Sequence, residues 1–171
     1  MAKVRILVDT CVIIEAFRIN CWKALCNHFD VETVQCCVDE CAAGDPLAPN
    51  RICVPAAELI KGLSKVHNVD ALMLATLAIE REDLPAIDEG ELHIMAWLHA
   101  NPSEAVLTSI STADKAAIRA THVLQLVDNV YSLQELGKSA GVGHRQLQGL
   151  KHHFTEDWLS TLRTQLKMKI L

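Results

Sequence analysis

Five acidic residues stand where the local sequence changes character. Asp9 closes the aliphatic run Val4-Arg5-Ile6-Leu7-Val8, and Glu40 follows the run at residues 31–34. Asp88 and Glu91 come just after Pro85, and Asp114 comes after an apolar stretch at residues 105–109. In an open α/β sheet ligands bind beyond the carboxyl ends of the strands, so acids at strand ends and helix starts are the first residues to suspect. Carboxylates converging on one pocket raise one another's pKa unless a cation offsets them. A set of Asp and Glu without His or Cys suits Mg²⁺ or Mn²⁺, which accept an all-oxygen shell and retain water, rather than zinc. The chemistry such a site supports is phosphodiester hydrolysis, in which the metal activates a water, orients it for in-line attack and offsets charge on the leaving oxygen.

The elements that must position these acids can be read along the chain. Residues 4–8 suit a buried parallel strand ending at Asp9. Cys11 to Phe17 continue as a helix, Trp22, Leu25 and Phe29 give a second helical stripe, and residues 31–34 read as strand two. A helix then runs through Glu40 into the breaker Ala43-Gly44-Asp45-Pro46. Pro49-Asn50 marks a loop, and Pro55 opens a helix expected to reach Val66. Asp70 starts another helix, residues 88–100 a further one, residues 105–109 a strand, and Thr112 to about Leu126 an Ala-rich helix. Asn129-Val130-Tyr131 reads as a last short strand, followed by the capping-box spacing Ser132-Leu133-Gln134-Glu135. Strands alternating with helices imply an α/β domain with a central parallel sheet. From Gly141 on, Leu147, Leu150, Phe154, Trp158, Leu162 and Leu166 recur at helical spacing, with Thr155 as N-cap, so the tail reads as one or two amphipathic helices.

Length and composition bound the function. The 171 residues are 50% hydrophobic and carry a formal charge of −5, which suits one domain with a sizeable core. That balance argues against nucleic-acid binding by a blanket of positive charge. The charge is unevenly distributed, however. Residues 30–91 hold 13 acids against 4 bases, whereas residues 138–171 hold 6 bases against 2 acids. Seven cysteines (Cys11, Cys21, Cys26, Cys36, Cys37, Cys41 and Cys53) without a Cys-x-x-Cys pair read as reduced, mostly buried thiols of a cytoplasmic protein. Asp9 and Glu15 interrupt the N-terminal apolar run, which argues against a cleaved export signal, and the run at residues 71–79 is too short to span a bilayer. None of the eight histidines pairs with a Cys or an acid at convincing ligand spacing, so each reads as surface or satisfied core. Seven aromatics are too few for a base-stacking platform.

Competing folds fail on the same residues: a haloacid-dehalogenase phosphatase needs Asp-x-Asp after strand one, where Cys11 stands, and a receiver domain needs an acidic pair before its phosphoacceptor. The set Val8-Asp9-Thr10, Val38-Asp39-Glu40, Asp88-Glu89-Gly90-Glu91, Leu107-Thr108 and Thr112-Ala113-Asp114-Lys115, closed by Asn129-Val130-Tyr131-Ser132-Leu133 and Glu135-Leu136, resembles the PIN-domain ribonucleases, in particular their toxin-like branch. The resemblance covers residues 4–141. It implies a three-layer α/β/α nuclease domain over residues 1–141, with residues 142–171 as a helical extension packed on that domain or on a partner. It further implies that Asp9, Glu40, Glu91 and Asp114 bind Mg²⁺ or Mn²⁺, with Asp88 competing with Glu91 for the third position and Thr10 and Thr112 as supporting hydroxyls. A strand at residues 105–109 leaves more residues before Asp114 than the family pattern has.

The function so implied is metal-dependent endoribonuclease activity on RNA, as the toxin of a toxin–antitoxin pair, with a small antitoxin capping the acidic site and a homodimer as assembly. The alternative is a PIN-like module that acts by binding, with the amphipathic tail as its interface. Each acid also has a structural reading: Asp9 as a helix cap, Asp39 and Glu40 as a solvated face, Asp88 and Glu91 as reciprocal partners in a capping box, and Asp114 as a first-turn acid favoured by the helix dipole.

Overall fold

A computed structural model describes residues 3–43 and 52–170. Parts of the two breakers expected at residues 43–46 and at Pro49-Asn50 lie outside these, namely residues 44–46 and 49–50. Four strands form one sheet: β1 (Arg5–Val8), β2 (Asp30–Val34), β3 (Lys65–His67) and β4 (Ser109–Ser111). The helices are α1 (Thr10–Arg18), α2 (Trp22–His28), α3 (Gln35–Ala42), α4 (Ala56–Gly62), α5 (Ala71–Glu80), α6 (Glu89–Ala100), α7 (Pro102–Ala105), α8 (Lys115–Val123), α9 (Leu133–Ser139), α10 (His144–Leu147) and α11 (Glu156–Lys167). Every strand pairing is parallel, in the order β3-β2-β1-β4, with Ile6 opposite both Val31 and Ser109.

The sheet is covered on both faces, which is why its central strand is an unbroken aliphatic run. Ile6, Leu7 and Val8 are all fully buried. Successive side chains alternate between faces: Leu7 packs with Val34 and Ile110 in one cluster, and Ile6 and Val8 pack with Val31 in the other. The first cluster is closed by α5, α6, α8 and α11, and the second by α1, α2, α4, α9 and α10. The α/β architecture expected from the sequence, a parallel sheet flanked by helices, is therefore the observed one.

Three local expectations are corrected. The helix from Pro55 stops at Gly62, and Lys65–His67 forms β3 at the sheet edge instead of the helix end expected at Val66. The strand expected at residues 105–109 lies four residues later, because Asn101 and Pro102 start the short helix α7, and Val106 and Leu107 are left exposed. Proline at a first helical position costs no hydrogen bond and presets φ. With β4 at Ser109–Ser111, the excess of residues before Asp114 disappears. Residues 127–129 form a 3-10 turn, and Val130 contributes a single parallel bridge to Ile110 where a strand was expected.

The basic tail packs onto the sheet that carries the acids. Leu159, Leu162 and Leu166 enter the same cluster as Ala117 and Ile118, and Leu147 and Phe154 enter the opposite one. Gly141 at φ 74° turns the chain out of α9, a conformation that suits glycine. Lys138 pairs with Glu156 and Lys167 with Asp128, each at 2.6 Å on the surface, where solvent and salt screen such contacts.

Candidate metal centre

The strand order fixes where a ligand would bind. From β1 the chain moves to β2 and β3 on one side, then returns to place β4 on the other, so β1 and β4 flank the point where the order reverses. Such a switch point opens a crevice beyond the strands' carboxyl ends. Asp9 leaves β1 there, with its backbone N–H donating to the Ser111 carbonyl at 3.3 Å, and Thr112 and Asp114 leave β4 beside it.

Local capping explains why each acid sits at its helix start. One oxygen of Asp9 accepts from the Val12 N–H at 2.8 Å and caps α1. One oxygen of Asp114 accepts from the N–H groups of Ala116 and Ala117 at 2.7 and 2.9 Å and caps α8. Asp88 is the N-cap of α6, and its N–H donates to Glu91 Oε2 at 3.2 Å in the reciprocal arrangement of a capping box. The structural readings of Asp9, Asp88 and Glu91 therefore hold, whereas Asp114, expected as a first-turn acid of a helix from Thr112 to about Leu126, is the N-cap of a helix that runs from Lys115 to Val123; in Asp9 and Asp114 the cap bonds fall on a single carboxylate oxygen.

Burial and mutual repulsion mark three of the acids as a set. Asp9 is 2% exposed; burial pushes its carboxyl up, bonds from the Thr112 hydroxyl, the Val12 N–H and the Cys11 thiol oppose this, and the Asp114 charge adds to the rise. Glu91 is pushed up to about 8 by burial first, then by the charges of Asp114 and Asp9. Asp88 is exposed and exerts only a lesser push on Glu91. Of the two residues competing for the third position, Glu91 is thus the one electrostatically joined to Asp9 and Asp114.

Glu40 is held by two close donors and, at 3.8 Å from its Oε1, by the Cys36 thiol. The Gly90 N–H donates to its Oε1 at 2.9 Å, and the Thr10 hydroxyl donates to its Oε2. A methyl group at Gly90 would lie 2.6 Å from that second oxygen, so only glycine lets the backbone of α6 come this close. Asp9, Thr10, Glu40, Asp88 and Glu91 line a cleft of about 440 Å³, together with Cys11 and Glu89. Asp114 is not part of that lining; it is linked to Asp9 through Thr112, whose hydroxyl bonds to Asp9 and accepts from the Asp114 N–H at 3.2 Å. Cys11 donates its thiol to Asp9 at 3.1 Å, and burial, with Asp9 beside it, holds that thiol well above its ordinary pKa, so it stays neutral. Asp39 is exposed, and its carboxylate accepts from Gln35 at 2.9 Å.

Among the described residues no Lys or Arg forms an ion pair with Asp9, Glu40, Glu91 or Asp114. The contrast with the other buried acids is informative. Glu15 pairs with Arg18, and Glu32 takes both Arg5, through two bonds of 2.8 and 2.9 Å, and His67 at 2.7 Å. Burial alone would raise Glu32, but His67 and Arg5 outweigh it and hold the carboxyl at about 2. Neither ion-paired acid was singled out in the sequence: Glu32 finds its partners on two other strands, which spacing along the chain does not reveal, whereas Arg18 stands three residues from Glu15 on α1.

The cysteines and histidines also differ from expectation. All seven thiols are free; Cys21, Cys37 and Cys41 are buried, Cys11, Cys26 and Cys36 half-buried, and Cys53 exposed. His67 and His99 are satisfied by Glu32 and Glu80. His93 is the exception to the expectation that no histidine has ligand partners, since Glu89 and Cys36 stand beside it. The i, i+4 spacing of Glu89 and His93 on α6 was the available signal.

In comparisons with known proteins, no family model matches the chain, and neither a curated protein nor a solved structure matches it.

Proposed function

We propose that the chain is a divalent-metal-dependent endoribonuclease of PIN type, hydrolysing RNA phosphodiester bonds at the crevice between β1 and β4. The observation that carries this reading is the uncompensated set of Asp9, Glu91 and Asp114 at the switch point, with Glu40 held alongside by Thr10 and Gly90. Buried Glu15 and Glu32 have cationic partners, whereas among the described residues no Lys or Arg pairs with these acids. An all-oxygen donor set of this kind fits Mg²⁺ or Mn²⁺. Asp9, Glu40, Glu91 and Asp114 would hold the ion, which when bound supplies an activated water and offsets charge on the phosphate.

The chain's own residues prepare the site. The caps at Val12, Ala116 and Ala117 hold Asp9 and Asp114, and Thr112 ties the two together. Thr10 and the Gly90 N–H hold Glu40 in place; among the described residues no three of the four carboxylates lie within 4.8 Å of one another, so side-chain rotation must gather them on an ion. RNA as substrate accords with the charge pattern: the acidic crevice repels phosphate until a cation is present, and Arg145 and Lys151 of the tail add positive charge. In the alternative, a binding module acting through its tail, the apolar stripe of that tail would be the interface. That stripe is buried in the chain's own core, which favours the enzymatic reading.

Thermal unfolding with Mn²⁺ tests for the site itself. Saturating ion at about a hundred times its Kd adds about 2.7 kcal/mol, or roughly 5–10 °C for a chain of this size. Saturable stabilisation together with cleavage of single-stranded RNA is expected; a protein that neither shifts with Mn²⁺ or Mg²⁺ nor cleaves RNA overturns the proposal. Gly90→Ala probes the positioning of Glu40. The added methyl displaces a flexible carboxylate rather than backbone, so the metal-free protein should lose less than about 1 kcal/mol. Its Mn²⁺ affinity should fall roughly 10–100-fold, as when a group that orients a ligand is lost. Isothermal titration reads the second effect, and an unchanged affinity would remove Glu40 from the site.

A further inference from the structure

We propose that Cys36, Glu89 and His93 form a second metal site, for a thiophilic ion of the Zn²⁺ class, that clamps α3 to α6 at the rim of the acidic cleft. One donor atom from each residue lies within 4.8 Å of the other two. Glu89 and His93 are four residues apart on α6, which puts them on one helix face a turn apart. Cys36 comes from the first turn of α3, which packs against α6.

The donor chemistry separates this site from its neighbour. A thiolate, an imidazole and a carboxylate favour zinc over magnesium, and three protein ligands leave the fourth tetrahedral position to water. Zn–S near 2.3 Å and Zn–N near 2.0–2.1 Å place such donors about 3.5 Å apart. Closing from separations of at most 4.8 Å takes no more than about 1.3 Å of side-chain motion, which exposed Glu89 and half-buried Cys36 and His93 can make by rotation. On binding, the Cys36 sulfur gives its proton to solvent and the ion takes its place, with no change of oxidation state. Glu40 and Gly90 belong to the same two helices, so a clamp here holds fixed the contact between the Gly90 N–H and Glu40 Oε1.

This inference stands independently of the nuclease reading, and its test keeps the two apart. The reduced, full-length protein, stripped with chelator, is titrated with Co²⁺ while the thiolate-to-cobalt charge-transfer absorption is followed, and then with Zn²⁺ in competition. The expected result is one saturable band per chain, displaced by Zn²⁺, absent in Cys36→Ser, weakened at least about tenfold in affinity in His93→Gln, and retained in Asp9→Asn. Circular dichroism confirms that each variant is folded. No band in the parent overturns the proposal. So does a band that survives in Cys36→Ser, which would assign the sulfur to another cysteine, or one lost in Asp9→Asn, which would place the ion at the carboxylates with Cys11.

Discussion

Replacing Asp9 with Asn should lower metal-dependent RNA cleavage at least about a hundredfold while leaving the fold intact. The estimate follows from partners one step removed from a metal, whose loss typically costs about 10–100-fold; a direct ligand at the centre of the set should cost no less. The fold survives because Asn caps helices as well as Asp does and keeps an oxygen for the Val12 N–H, now at 2.8 Å. It also removes a carboxyl that burial already disfavours in its charged form. Metal-free Asp9→Asn should accordingly melt no lower than the parent, yet gain nothing from Mn²⁺. Cleavage assays and melting curves on the same preparation decide the matter. A variant as active as the parent would sink the assignment of Asp9 as a ligand.

Glu32→Gln should instead damage the fold and spare the site. Glu32 is 5% exposed and joins β1 to β3 by accepting from Arg5 and bonding to His67, whose ring lies against Trp97 with centroids 4.1 Å apart. Arg5 is 28% exposed and keeps Glu104, so its charge is not stranded; what is lost is the charged acceptor of Arg5 and His67, and hydrogen bonds to a charged group are worth about 1.5–3 kcal/mol. For a chain of this size that is a fall in melting temperature of roughly 3–12 °C. The pH dependence follows from the depressed carboxyl. Glu32 ionises near 2 in the folded chain and near 4.3 when unfolded. The unfolded state therefore binds more protons between those values, so the stabilisation is complete above about 4.3 and is lost as pH falls towards 2. The gap in urea midpoint between parent and Glu32→Gln should be widest near neutrality and shrink across that acid window. A gap independent of pH would mean that packing, and not charge, is what Glu32 contributes.

Local signals in the sequence were sufficient for the strand and cap positions that depend on neighbours along the chain. Ile6, Leu7 and Val8 announce a buried strand, and Asp9, Asp88, Ser132 and Thr155 all cap helices where their spacing implies it, while Asp114 caps a helix that begins three residues later than expected. Misplacements arose where pairing across the sheet outweighed local composition. Val106 and Leu107 look like strand but are 62% and 77% exposed, because β4 is placed by its partner β1, with Ile6 opposite Ser109. Three-residue β3 has too short a pattern to be told from a helix end, and what holds His67 in place, Glu32, lies in another strand. The choice between Asp88 and Glu91 depended on burial, which spacing does not reveal. The grouping of Cys36 with His93 needed the contact between α3 and α6, and no periodicity within either helix encodes it.

The strand order carries a consequence for synthesis. β1 occupies an interior position, and its second neighbour, β4, is about a hundred residues further along the chain. Arg5 illustrates the span, reaching Glu32 from one side and Glu104 from the other. As the chain leaves the ribosome, β1, β2 and β3 can pair early, since domains build from the amino terminus onward. The crevice has no second wall until residues 109–114 have emerged and docked. A nascent chain therefore exposes Asp9 and Glu40 before the partner acids that would join them have emerged, and the crevice is complete only once residues 109–114 have docked on β1.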